Sequence, residues 1–554
     1  MAEVTPSEHG KRAVFGLVIL ALPTLMMAMD LSILYVAVPA LSVDLGANST
    51  EQLWALDLYG FVVAALLITM GNLGDRIGRR RLLLIGASAF AVLSAVAAYS
   101  PSIEVLIAAR GVLGIAGATL MPSTLALLNS LFTDKRRHAM AIGAYMSCFM
   151  GGIALGPVVG GVLLEHFWWG STLLLPVPVM VLLVVAAPFL LPEARGGEIR
   201  GRIDLLSVAL SLVAILPFVY GVKEIAKNGL TGVAVVALVV GVLAGVIFVR
   251  RQSRLAEPLL DVSLFRNRVF ASAATLMLLM GIMSGYAFLV ALYLQSVAGY
   301  SPLSTGLWLI APTFAGMVGS MLAPAFTRRI PPGKVIVAGM IISVLGLVAV
   351  TQVGPESGVA LLMSGFMVAS LGSGPAGALG AGLIMTSAPP EKAGSAAAVS
   401  ETSGDFGVSL GIALTGSIAA AIYRSAFSDP VPGVDVDAAS TARESVAGAM
   451  SVAQGTPGPA GEELARRAAE AFTDGLNVAA AFGGVVALVL AVVAGISLRH
   501  VPAHGDGKDG SDDAGTASPT DTDASADDRG TIRDLVDEQG IDGAEDTEHS
   551  RTSR

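Results

Sequence analysis

The chain has 554 residues, 54% of them hydrophobic and 14% charged, where a soluble domain carries about 25% charged residues. Apolar runs of roughly 18 or more residues recur along it, each long enough to cross a bilayer as a helix. This excludes a soluble globular protein and predicts an all-α polytopic membrane protein, since backbone groups in lipid must be bonded within their own segment.

The first apolar run is too long for a cleavable signal peptide and lacks a small-residue cleavage site. Fourteen spans are predicted, at 13–38, 53–73, 82–100, 104–128, 139–164, 172–192, 204–222, 231–249, 269–294, 304–326, 335–353, 358–386, 396–421 and 476–498. The loops on one side then collect 21 Lys and Arg, and those on the other only 6. These six are Lys223 and Lys227, with Arg424, Arg443, Arg466 and Arg467 in one long loop. The positive-inside rule makes the richer side cytoplasmic and places both termini there.

In chain order, Asp30 lies in the outer half of the first span, and Asp57 lies near the outer start of the second. An acid in hydrocarbon is costly, and by default it marks a substrate or proton path. Between spans two and three stands "GNLGDRIGRRR", Gly71 to Arg81. Gly71 and Gly74 permit close helix approach, and Asp75 can accept from helix amides or arginines. A positive cytoplasmic loop accounts for the arginines but not for this spacing of Gly71, Asp75, Arg76, Gly78 and Arg79. Arg110, in "RGVLG", is a cation inside span four. It either faces a polar cavity or carboxylate, or snorkels to the nearby interface.

Span five contains "GGIALGPVVGG", Gly151 to Gly161. Pro157 removes a backbone hydrogen bond and bends the helix, while Gly156, Gly160 and Gly161 let a neighbour pack closely. Glu401 and Asp405 in span thirteen are four apart and share a helix face. For all these acids the competing reading is pairing within the fold or at the interface. The long external loop, about 422–475, predicts a small helical hairpin with "GTPGPAG" as its turn and a helix over Glu462 to Asp474. Residues 503–554 hold 15 acids and 5 bases, and the rest of the chain 28 and 29. That acidic tail is expected to be disordered.

Cys148 is the one cysteine, which rules out an intramolecular disulfide and a cysteine-cluster metal site. The six histidines form no metal-ligand spacing, and no phosphate-binding P-loop is present. The chain is expected to need no cofactor or metal, to bind no nucleic acid and not to be an enzyme. An ATP-driven pump would require a separate ATPase subunit.

The three motifs together resemble the major facilitator superfamily, and the third resembles its antiporter motif. With fourteen spans the likeness narrows to the drug:proton antiporters. "MDLSILYVAVPAL", "LWALDLYG", "GIAGATLMPSTLALL", "DVSLFRNRVF" and "AGSAAAVSETSGDFG" look like the quaternary-ammonium multidrug exporters of that group. The resemblance runs from about residue 11 to 498. It implies a six-helix bundle over 13–192 after a cytoplasmic tail 1–12, and a linker 193–267 with two extra transmembrane helices. A second bundle over 268–498 follows, then the cytoplasmic tail 499–554. The central site would lie between the bundles.

The same resemblance assigns Asp30, Asp57, Glu401 and Asp405 to proton and cation coupling, with Arg110 tuning a nearby acid. Low dielectric penalises a bare carboxylate, so its charge can be switched by a proton or a bound cation. Asp75 and its arginines would close the cytoplasmic side in the outward-facing state. Tyr35, Tyr59, Phe149, Trp308 and Met317 are candidates for the cavity wall, as are Trp54, Tyr286, Phe288 and Tyr293, since cation–π and thioether contacts suit varied cations.

Three departures stand out. Gly316 occupies a place in span ten where dication exporters often carry an acid, and Ser400 precedes Glu401 where a relative has a second acid. Pro176 in "LLLPVP" falls where an Asn is common. With fewer acids, monovalent lipophilic cations are the expected substrates, exchanged for protons across a bacterial cell membrane, by a protein expected to be monomeric. The alternatives are a dedicated exporter of one antibiotic, metabolite or lipid, and a membrane sensor that transports nothing.

Overall fold

The computed structural model describes residues 6–132, 134–193, 204–255, 258–354, 359–389, 392–427 and 435–502. The predicted acidic tail beyond 502, and Arg195, Arg200 and Arg202, lie outside the described residues. The first half is built from α1 (Pro6–Leu45), α2 (Ser49–Ile77), α3 (Arg79–Ala98), α4 (Ile103–Leu131), α5 (Lys135–His166), α6 (Ser171–Leu174) and α7 (Pro176–Leu190). An additional pair follows, α8 (Leu205–Asn228) and α9 (Gly232–Gln252). The second half contains α10 (Arg268–Ser284), α11 (Ala287–Leu292), α12 (Pro302–Phe326), α13 (Pro332–Val350), α14 (Val359–Ser387) and α15 (Ala393–Ala426). It ends with α16 (Val436–Glu444), α17 (Val446–Gly455) and α18 (Pro459–Ser497). Among the described residues fourteen segments are long and apolar enough to cross a membrane. The sixth joins α6 and α7; the ninth joins α10, α11 and a π-turn at Tyr293–Val297.

Local sequence explains several boundaries. The Asn48 side chain caps α2 by accepting from the amides of Thr50 and Glu51, and Glu51 reaches back to the Asn48 amide at 2.9 Å. This reciprocal box starts the helix four residues before the predicted span. Pro176 cannot donate a backbone hydrogen bond, and the sixth span divides at it into α6 and α7. The region predicted as a separate helix over 462–474 is instead the first third of α18, which runs unbroken into the last span. No residue there stops it: Gly475 is buried against Ala419 and the helix continues. The turn before it, Thr456 to Gly458, makes a hairpin of α17 and α18.

Lipid gives apolar side chains little reason to leave it, so these helices are held by close packing of small residues. In the first half α1 packs on α5, α2 on α4, and α3 on α4 and α7. In the second, α10 packs on α15, α12 and α13 on α14, and α13 and α15 on α18. The additional helices pair with each other, and α8 also lies against both α2 and α15.

The two halves meet mainly through α5 with α12 and α2 with α15. These contacts gather at the ends away from the arginine-rich loops. There Ser301 donates to Glu165 at 2.7 Å, Gln295 donates to the Val36 carbonyl at 3.1 Å, and Ser49 donates to the Glu444 carbonyl at the hairpin. The seam between Leu53, Phe288, Gly416 and Phe472 leaves a cavity of only about 30 Å³. Midway along, Phe61 meets Phe406 edge-on at 5.9 Å. Towards the arginine-rich ends, a Cβ added at Gly143, Gly151, Gly382 or Gly404 would meet nothing within 4 Å. Among the described residues, the bonds between the halves therefore gather at the end away from the basic loops.

Candidate functional site

Asp30 sits on α1 between two prolines, Pro23 and Pro39, and its side chain is 1% exposed. Arg110 on α4 is equally buried and donates from Nη1 to Asp30 Oδ2 at 2.7 Å. The snorkelling alternative for Arg110 is thus overturned: its guanidinium turns inward and finds a carboxylate. Its Nε donates to the Ala55 carbonyl at 3.2 Å, and its Cζ stands 4.6 Å from the centre of the Tyr59 ring. A buried cation needs such a set of partners, because an unpaired one costs several kcal/mol (~3–5). Asp30 Oδ1 is buried and has no hydrogen-bond partner in the structure.

Asp57 lies on the same stretch of α2 and points to another helix. Its Oδ1 accepts from Lys223 Nζ at 2.8 Å, with both side chains 1% exposed or less. Lys223 is therefore not a loop residue of the poorer side, as its sequence position predicted. It belongs to the last turns of α8, which extends to Asn228. Its ammonium also lies 3.8 Å from the centre of the Trp54 ring. Asp57 Oδ2, like Asp30 Oδ1, is buried without a partner.

The second half brings Glu401 and Asp405 on α15, both half-buried. Among the described residues neither side chain makes a hydrogen bond or ion pair. Asp30, Arg110 and Asp405 all lie within electrostatic reach of Tyr59, and Glu401 within reach of Tyr145, which shares a 2.8 Å hydrogen bond with Thr124. Asp405 precedes Phe406, whose ring meets Phe61 of α2 at 5.9 Å, two residues past Tyr59.

The remaining candidates divide. Tyr35 and Phe149 are half-buried, and Tyr35 rests against Phe288 at 6.4 Å between ring centres. Met317 is exposed, and Gly316 has its nearest neighbour, the Ser370 carbonyl, at 3.4 Å from an added Cβ. Trp308 leans on Tyr300 near the start of α12, beside the sealed end. Tyr286 and Tyr293 are packed into the core, and Phe288 lines the small cavity in the seam.

The two glycine motifs serve the scaffold. In Gly71 to Arg81, Asp75 pairs with Arg79 at 2.6 Å across the break between α2 and α3. Gly78 makes that break at φ 107°, a conformation that only glycine takes without strain, with the Glu193 carboxylate where a Cβ would be. Arg80 donates to the Leu191 carbonyl at 2.9 Å, which ties the motif to the end of α7. An added Cβ at Gly71 would touch only Pro122, at 3.7 Å. In the α5 motif, Gly156 and Gly160 rest on Met29, Ser32 and Ile33 of α1. Gly161 meets the Leu303 backbone, and the Pro157 carbonyl meets Gly306, both on α12. This one helix therefore supports the turns around Asp30 and closes the seam.

Among the described residues no group of three or more His, Cys, Asp or Glu is arranged to hold a metal. Ion pairs buried between spanning helices, in two halves bonded mainly at one end, are the architecture of a membrane transporter. The family model of the Major Facilitator Superfamily matches residues 20–412. The chain is 40% identical to "Multidrug efflux pump LfrA" of Mycolicibacterium smegmatis, over 90% of this chain and 99% of that relative. It is 33% identical to "Methyl viologen resistance protein SmvA" of Salmonella typhimurium, over 86% and 96%. In fold it resembles a bacterial homologue of the human lysosomal transporter Spinster, solved inward-facing and unoccupied. That match has TM-score 0.62 and 14% identity, covering 88% of this chain and 98% of the other.

The chain belongs to the major facilitator superfamily, as a multi-pass protein of the bacterial plasma membrane.

Proposed function

We propose that this protein is a proton-coupled exporter of hydrophobic, mostly monovalent cationic compounds that works by alternating access. The observation that carries this reading is the buried Asp30–Arg110 pair beside Tyr59. Asp30, Glu401 and Asp405 exchange proton and cation, Arg110 orients Asp30, and Asp57 belongs to the coupling set through its pair with Lys223. With the arginine-rich face cytoplasmic, the end where the halves are less bonded opens inward, where a cation partitioned into the inner leaflet can enter. A proton and a cation then compete for the same carboxylates, because low dielectric disfavours leaving them charged and bare. Release outside requires the α5–α12 and α2–α15 seams to part. Asp75 and its arginines, bonded within their own half among the described residues, become free to close the inner face.

The names of the relatives support a broad substrate range. The compound named for the Salmonella protein, methyl viologen, is a dication, so a test must include both charges. Another relative, the "Tetracenomycin C resistance and export protein" of Streptomyces glaucescens, is 31% identical over 86% of this chain, and it favours a second reading, export of one antibiotic. Resistance and dye efflux in cells expressing the protein separate these. Export of several unrelated monovalent cations supports the multidrug reading, and export of a single compound class overturns it.

A further inference from the structure

Lys223 is a buried ammonium on a helix outside both bundles, and nothing in the transport cycle above requires it. Apolar contact already docks α8 on α2: Val208 and Leu212 pack against a cluster of Val62 and Leu66. Ser211 adds a hydrogen bond to the Ala65 carbonyl at 3.3 Å. Exchanging a buried ion pair for apolar side chains is often neutral or stabilising, so gluing two helices is a poor reason for this one. The pair is also incompletely satisfied: Asp57 Oδ2 has no partner, and only one Nζ–H bond, to Asp57, is made besides the Trp54 face.

Its position gives a better reason. Residues 54–59 of α2 hold two cations on different faces. Trp54 and Asp57 hold Lys223, while the Ala55 carbonyl and the Tyr59 ring hold Arg110, which holds Asp30. Helix α8 touches α15 as well, the helix of Glu401 and Asp405. When the halves rock, α8 cannot keep both contacts unchanged.

We propose that Lys223 is a positioning residue of the transport site: it withdraws Asp57 from cation binding and clamps α8 to α2, keeping residues 54–59 in register with Arg110. The additional helix then travels with the first half, and its contact with α15 is the one that slides. This role rests on the exporter reading.

A double-mutant cycle tests it, using the full-length protein with Lys223→Met, Asp57→Asn, both together, and Lys223→Arg. Melting in detergent and ethidium transport in proteoliposomes are measured, with rates expressed per folded transporter. Each single neutralisation strands one buried partner and lowers the melting temperature, while the double variant recovers it. The double variant is expected to keep KM within about threefold while kcat falls by about tenfold or more, the pattern of a lost step rather than lost binding. Lys223→Arg retains both.

A double variant with normal kcat makes the pair structural only and overturns the proposal. A raised KM with unchanged kcat means that Asp57 binds the cation itself, and overturns it as well. Failure of the double variant to recover its melting temperature shows that the charges do not pair, with the same consequence. A wild-type protein that moves no ethidium, or any other cation of a broad panel, overturns the exporter reading and this role with it. The other results leave that reading standing.

Discussion

Asp30→Asn separates the charge of the site from its shape. The amide is nearly isosteric and keeps an acceptor for Arg110 Nη1, now at 2.7 Å from the carboxylate. What disappears is the attraction between charges roughly 4 Å apart, about 4 kcal/mol at an effective dielectric near 20. The retained neutral hydrogen bond returns about 1 kcal/mol. The expected loss is therefore ~3 kcal/mol, at the low end of the range for breaking a buried pair. The variant should fold and reach the membrane with a lower melting temperature in detergent. Its initial rate of cation transport in proteoliposomes should fall by more than about tenfold, since Asp30 can no longer exchange a proton for a cation. A variant that melts with the wild type and transports at the wild-type rate would refute the reasoning at both levels.

Three further outcomes follow from the geometry. Gly161→Val places a Cβ 2.5 Å from Leu303 Cα across the sealed seam. It should hold that end open, so that a cysteine introduced at Gln295 reacts faster with a membrane-impermeant maleimide in intact cells; unchanged labelling counts against the seam. Gly316→Asp has room, with Ser370 as its nearest neighbour, and should extend transport to methyl viologen; no gain in dication transport sinks the idea that a missing acid sets charge preference. Asp261 bonds Lys392 at 2.6 Å outside the spans, and hydrogen bonds from Lys392 and Ser263 hold its carboxyl below its ordinary value. The stability this gives is complete above the ordinary carboxylate pKa and is lost as pH falls through the lower, folded value. The pair is partly exposed, so Asp261→Asn should cost at most about 1 kcal/mol at neutral pH. That difference should close in acid below about pH 4, and a constant difference from pH 7 to 3 would contradict it.

The parts of this site that break a rule of composition were legible in the sequence. Asp30 and Arg110 each stand out because charge is rare in an apolar span, but that they bond to each other depends on how α1 and α4 pack. The glycines of the α5 motif announced close approach, yet not that two different helices, α1 and α12, would use it. Lys223 was hidden by its neighbours. "KEIAKNG" reads as a polar loop, and only the Gly229 that ends α8 marks where the helix really stops. An apolar period carried through Val222 and Ile225 to that glycine would have placed Lys223 inside the helix. Asp57 had the opposite problem. The box formed by Asn48 and Glu51 sets the true start of α2 and puts Asp57 two turns inside it. Burial of Asp57 was therefore readable, but its partner, on a distant helix, was not.

The central claim is that cation and proton exchange through these carboxylates. Its most direct test is the pH change inside proteoliposomes holding an acid interior, recorded as ethidium is added, for the wild type and for Asp30→Asn, Glu401→Gln and Asp405→Asn. Ethidium-dependent proton efflux is expected of the wild type and should be lost in Asp30→Asn and in at least one of the two α15 variants, with all proteins folded. Ethidium movement with no proton flux, or coupling intact in all three variants, would contradict it.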